Sequence, residues 1–126
     1  MTVIALSVFL ILHGLLHPAI WIPQPKPEGP PPPFVPDESA VLTAAAVPRT
    51  TVHHLAVTLS IICAVAYVSA GVAVAVDLAV AVPLAIAAAV AGLTLKLVYF
   101  HPWLIFGVLL DGAVLSAALT GWPVSL

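Results

Sequence analysis

The sequence predicts an all-α integral membrane protein: an up-down four-helix bundle, read as a single membrane unit over residues 1–126, with a Pro-rich loop between helices 1 and 2. Three observations predict it. First, 63% of the residues are hydrophobic and 6% are charged, against about 45–50% and about 25% in soluble domains. Second, the mean hydropathy is +1.23, so the surface is matched to lipid. Third, the apolar residues gather in tracts of the roughly 20 residues needed to cross the hydrocarbon. No polar–apolar alternation of the kind a membrane barrel requires is visible.

The first expected span is 3–22. It has no basic leader and no A-x-A pattern, and it carries His13 and His17, so it reads as a retained span and not as a signal peptide. The connection that follows runs over 23–50. Eight of the thirteen prolines lie between Pro23 and Pro36, a composition that favours extended polyproline structure and builds no core. Its second half, Asp37 to Val47, suits a short surface helix. Asp37 or Ser39 would cap it, with Val41, Leu42 and Ala45 on the membrane surface.

An apolar tract from Leu55 to Leu95 follows, interrupted by one charge, Asp77. As one helix it would be roughly 60 Å long, twice the hydrocarbon thickness, so it must fold back. The corner falls at Asp77, giving spans 52–76 and 78–100, with Asp77 expected to cap the second. His101-Pro102 forms the next turn, because a residue before Pro avoids helical dihedrals. The last span is 103–122. The small-xxx-small pairs Ala88/Gly92, Gly107/Asp111 and Gly112/Ser116 suit close packing in lipid.

Four crossings place the long loop and the 100–102 turn on one membrane side. Both termini and the Asp77 turn lie on the other. Lys26, Arg49 and Lys96 fall on the loop side. The positive-inside rule therefore predicts a cell-membrane protein with a cytoplasmic loop and extracytoplasmic termini. Trp21, Tyr99 and Trp103 on the loop side, and Trp122 opposite, read as interfacial anchors.

Composition excludes several functions. Three Lys/Arg and a pI near 6.1 do not suit a nucleic-acid binder. One cysteine, Cys63, allows neither a disulfide framework nor a Cys-based zinc site, and at mid-span it reads as an apolar filler. No nucleophile–base set, phosphate loop or paired Glu appears, so no enzyme is expected.

The candidate site is a polar intramembrane cluster of His13, His17, Lys96 and Asp111. Helix rise puts His17 about 8 Å and His13 about 14 Å inside the first span, and Asp111 about 12 Å inside the last. His13 and Asp111 therefore share a depth, and an ionised Asp there costs about 2.5–3.5 kcal/mol without partners. Asp111 should face the bundle, with His13 as first partner and Lys96 as second. Lys96, about 6 Å from its span end, is otherwise expected to snorkel to the headgroups. His13 and His17, four apart, share one helix face. They are the candidate metal ligands, with His53, His54 or Asp111 completing a set. His53, His54 and His101 otherwise read as interfacial residues. Three readings of the cluster stand open: a hydrogen-bonded staple, a metal or haem site, and a proton or ion path. No cofactor is required by the first.

The motifs His13-Gly14-Leu15-Leu16-His17-Pro18, His101-Pro102-Trp103-Leu104 with Gly107 and Asp111, and Gly121-Trp122-Pro123 resemble those of small four-span bacterial and archaeal membrane proteins with no assigned activity. The resemblance implies that His13, His17, His101 and Asp111 belong to a shared pattern. It departs in the loop, where a Phe-Asp-Pro-like stretch is here Phe34-Val35-Pro36-Asp37. The function expected is that of an accessory or structural membrane protein, as a homo-oligomer or a subunit of a larger membrane complex. The alternative is a His/Asp-lined site for metal, haem or protons.

Overall fold

The computed structural model describes residues 1–22, 30 and 35–121. The described residues form five α-helices and no strands: α1 Thr2–Trp21, α2 Ala40–Ala44, α3 Arg49–Ala75, α4 Ala81–Val98 and α5 Ile105–Thr120. A 3₁₀ turn, Pro102–Leu104, leads into α5. Four of these segments are long and apolar enough to cross a bilayer, as the hydropathy tracts predict. At 1.5 Å per residue α1 spans about 30 Å, and α3, with 27 residues, about 40 Å.

The helices pack in chain order. α3 lies on α1, α4 on α3, and α5 on α4. Residue pairing makes each neighbour antiparallel. The Ser7 hydroxyl donates to the Gly71 carbonyl at 2.7 Å, and Gly14 abuts Tyr67, so numbers rise along α1 as they fall along α3. A Cβ on Gly14 would lie 2.6 Å from the Cβ of Tyr67, so α1 and α3 approach to backbone contact there. In lipid such small-residue contacts, and not hydrophobic expulsion, drive helix association.

The interior divides by depth. Toward the loop side Trp21, Val52, Ala56, Leu95, Tyr99 and Leu104 pack together. Toward the termini Leu10, Tyr67, Ala70, Ala85 and Ala88 form a second cluster. α1 and α5 do not pack along their lengths. A side-chain bond between His13 and Asp111 joins them, and an apolar cleft separates them beyond it.

Several expectations change. The α3–α4 corner is wider than the single residue predicted, with α4 beginning at Ala81. Asp77 makes no cap there, because the α4 N-cap position is Val80 and no side-chain bond is made to it. Asp77 instead ends α3 in the left-handed region, with φ 55. The Leu78 amide donates back to Ala73 O at 2.8 Å and the Asp77 amide to Val74 O at 3.3 Å. This is a Schellman ending, which satisfies carbonyls the helix end would leave open.

The loop-side aromatics also differ. Trp21 and Tyr99 are each 1% exposed, so they roof the bundle and do not anchor in the headgroups. Trp103, 66% exposed, keeps the outward position. Trp122, Lys26 and most of the Pro-rich loop lie outside the described residues. The short helix forms with Ser39 as its N-cap: Ser39 Oγ accepts from the Leu42 amide at 3.2 Å and donates to Val98 O at 2.6 Å. That second bond ties α2 to the end of α4. Leu42 consequently packs on the bundle core instead of lying on the membrane, while Val41 stays exposed.

The left-handed corner yields a test. Asp77→Val should cost about 1–2 kcal/mol, because a β-branched side chain is strained at positive φ, while Asp77→Gly should cost nothing. Reversible unfolding in mixed micelles reads both.

Candidate functional site

Five side chains from four spans converge within the membrane-spanning region: His13 and His17 of α1, Tyr67 of α3, Lys96 of α4 and Asp111 of α5. Asp111 is the hub and is 0% exposed. Its Oδ1 accepts from His13 Nε2 at 2.7 Å and from the Tyr67 hydroxyl at 2.6 Å. Its Oδ2 accepts from Lys96 Nζ at 2.6 Å. A carboxylate offers about four lone-pair positions, and three are filled by protein.

The tautomer of His17 follows from its neighbours. Its Nδ1 lies 3.0 Å from His13 O, a pure acceptor, and so donates to it. Its Nε2 lies 2.7 Å from Lys96 Nζ, where an ammonium can only donate. The ring is thus neutral, with its proton on Nδ1. One ammonium faces one carboxylate, so the pair balances. The rings interlock as well. His13 is edge-on to His17 at 5.1 Å and to Tyr67 at 4.8 Å. Trp21 stacks on His17 at 6.2 Å and lies 6.0 Å from the Lys96 ammonium. The Trp21 Nε1–H is buried without a protein acceptor among the described residues.

Two glycines make room for the charged pair. A Cβ on Gly92 would sit 2.5 Å from Asp111 Oδ2, and a Cβ on Gly107 would sit 2.5 Å from Lys96 Cε. α4 and α5 therefore close over a lysine and an aspartate in space that a Cβ at either position would take from the charged side chains. Gly92 and Gly107, one from each of two of the predicted small-residue pairs, serve this contact, whereas Gly112 meets nothing within 4 Å.

The four residues His13, His17, Lys96 and Asp111 are thus brought together. Lys96 does not snorkel: at 3% exposure it turns inward to Asp111 and His17. His53, His54 and His101 stand apart. His53 Nδ1 donates to Asp37 Oδ2 at 2.7 Å in a half-buried pair, linking the strap before α2 to the start of α3. His54 is exposed, with its ring 5.8 Å from that of His53. His101 caps the 3₁₀ turn, its Nδ1 accepting from the Trp103 amide at 3.2 Å. Sequence reasoning missed Tyr67. It lies about 12 Å from the termini-side end of α3, close to the roughly 16 Å separating His13 from the start of α1. A tyrosine at that depth, in a helix otherwise dominated by Ala and Val, is the signal that would have found it.

The ligand atoms of His13, His17 and Asp111 lie within 4.8 Å of one another, close enough for a metal site. The Lys96 ammonium contacts both His17 and Asp111, so it already supplies the positive charge. No protein-family model, curated protein or solved structure matches this chain.

Two outcomes are expected from the pair. Asp111→Leu leaves a buried ammonium facing a neutral imidazole and should cost about 3–5 kcal/mol. The double variant Asp111→Leu/Lys96→Met removes both charges and should recover most of that loss, because replacing a buried ion pair by apolar groups is often neutral. Unfolding of the single and double variants in micelles measures the coupling. Separately, Gly92→Ala should destabilise by about 1–3 kcal/mol through overpacking against Asp111, measured the same way.

Proposed function

We propose that the chain is an accessory or structural multi-pass membrane protein in which the five-residue cluster locks α1, α3, α4 and α5 together. The observation that carries this reading is closure. All three hydrogen bonds to the Asp111 carboxylate come from inside the bundle, and Lys96 balances its charge. Toward the termini, Leu10, Ala85, Ala88 and Val114 intervene, so the described polar groups make no continuous line across the bundle. A closed, balanced network suits a fastening better than a path for protons. We place the loop in the cytoplasm. Arg49, whose side chain is 93% exposed, supports this together with Lys26, while the buried Lys96 no longer counts toward it. Association with a second copy or a larger complex is assigned to the outer face of α5, where Phe106, Leu109 and Leu119 are exposed. The likeness to small four-span proteins is proposed on the same motifs as before.

A second reading is favoured by the ligand geometry. His13, His17 and Asp111 would hold a transition metal if Lys96 gave up its contacts. The chemistry opposes it, because the metal must displace an ammonium already bonded to two of the three ligands.

The test is purification without chelator, followed by metal analysis, a visible spectrum and proton flux in sealed vesicles. The fastening reading expects sub-stoichiometric metal, no haem band, and flux equal to protein-free vesicles. One metal per chain bound tightly, or flux abolished by Asp111→Asn, would replace it with the ligand or proton reading. A reporter fused at the C-terminus should score as extracytoplasmic, and a cytoplasmic signal reverses the orientation.

A further inference from the structure

We propose that His13, His17 and Asp111 form a ligand set for a divalent transition metal whose metal position is taken by the Lys96 ammonium, so that shortening Lys96 opens the site to zinc or cobalt. The inference rests on the fastening reading, in which Lys96 supplies the positive charge of the cluster.

Three features separate this cluster from an ordinary buried ion pair. The first is the setting of His17. Its Nδ1 donates to His13 O at 3.0 Å, which leaves the Nε2 lone pair directed at a cation 2.7 Å away. A metal-ligating histidine is held by the same device, its second ring nitrogen donating to a carbonyl or carboxylate so that the tautomer is fixed. The second is the support of the carboxylate. Asp111 Oδ1 accepts from the Tyr67 hydroxyl at 2.6 Å, while Oδ2 meets the ammonium at 2.6 Å. One oxygen is thus anchored and the other faces the cation, as in ligating carboxylates that are themselves hydrogen-bonded. The third is spacing. The ligand atoms of all three residues lie within 4.8 Å of one another. Around zinc, with bonds of about 2.0–2.1 Å, tetrahedral ligands stand about 3.4 Å apart, so any two need close by about 1.4 Å at most.

Charge and space make the two cations exclude each other. With Lys96 in place, a divalent ion would add its charge to a balanced pair, at a depth where uncompensated charge is costly. Lys96→Ala removes that obstacle. It leaves Asp111 as a buried carboxylate in need of a cation, and it removes the stem that lies against Gly107, where a Cβ would come within 2.5 Å of Lys96 Cε. Three protein ligands with water in the fourth position form an open zinc site, and imidazole nitrogens favour transition metals over magnesium or calcium. One proton moves on binding. His13 Nε2, which donates to Asp111 Oδ1 at 2.7 Å, becomes a ligand when its proton passes to Nδ1.

Cobalt titration of the full chain in detergent, after chelator treatment and removal of the chelator, tests this through visible d–d absorption. Lys96→Ala should take up one cobalt per chain at least a hundredfold more tightly than the wild type, with a raised thermal midpoint on binding, and zinc should displace the colour. The double variant Asp111→Leu/Lys96→Met, which lacks the carboxylate, should bind at least tenfold more weakly than Lys96→Ala. If Lys96→Ala does not fold, Lys96→Gln, whose amide can still donate to Asp111, takes its place. A folded variant that binds cobalt no better than the wild type overturns the proposal while leaving the fastening reading intact. Failure of both variants to fold with metal supplied, or equal binding without the Asp111 carboxylate, overturns it as well. Tight uptake of one cobalt by the wild type overturns the fastening reading and this proposal together.

Discussion

The contact between Lys96 and Asp111, 2.6 Å apart and away from solvent, is the constraint from which most of the remaining structure follows. Neither charge is tolerable alone at that depth. Together they still need their remaining hydrogen-bonding capacity filled, because a half-satisfied buried network is worse than an apolar core. His13 and Tyr67 supply two further bonds to the carboxylate, and His17 accepts a second bond from the ammonium. The partners come from successive turns of α1 and from α3, so satisfying the pair ties the rotation of α1 and α3 to that of α4 and α5. Gly92 and Gly107 then leave the room in which α4 and α5 close over the pair.

Much of this was readable in the sequence, and the rest was hidden for physical reasons. Hydropathy and helix length are enough to find the four crossings, because lipid requires every backbone group to be satisfied inside its own segment. Equal depth is enough to pair His13 with Asp111. The error over Lys96 came from side-chain direction. Helical side chains lean toward the helix N-terminus. α4 runs from the termini side to the loop side, so Lys96 leans into the bilayer and not toward the nearer headgroups. The same rule brings Tyr67 back toward the loop side, since α3 runs the other way, and tilts Asp111 likewise. His13 and His17 lean toward them from α1. Five side chains whose backbone positions differ in depth thus meet at one level.

The aromatic residues carry a related lesson. Trp21 and Tyr99 sit at span ends, where interfacial anchoring is the usual reading. Yet they are buried, because the strap before α3 folds over the loop-side end. Ser39 bonds to Val98 O, His53 bonds to Asp37, and the Tyr99 hydroxyl donates to Val52 O. Composition cannot reveal that a loop covers a helix end. Asp77 was misread for a simpler reason: an acidic residue before a helix suits an N-cap, but the same residue type also tolerates the left-handed turn that ends the preceding helix.

The two halves of the bundle therefore divide their roles. The loop-side half holds the charged pair under an aromatic roof, and in the termini-side half an apolar cleft separates α1 from α5. The most direct measurement is solid-state NMR of the protein in bilayers, with Lys96 Nζ labelled with nitrogen-15 and Asp111 Cγ with carbon-13. A strong through-space cross-peak between the two, with a lysine signal protected from aqueous relaxation agents, is the expected result. An absent cross-peak with a Lys96 signal broadened from the aqueous phase would mean that the ammonium reaches the headgroups and that the bundle is not built around this pair.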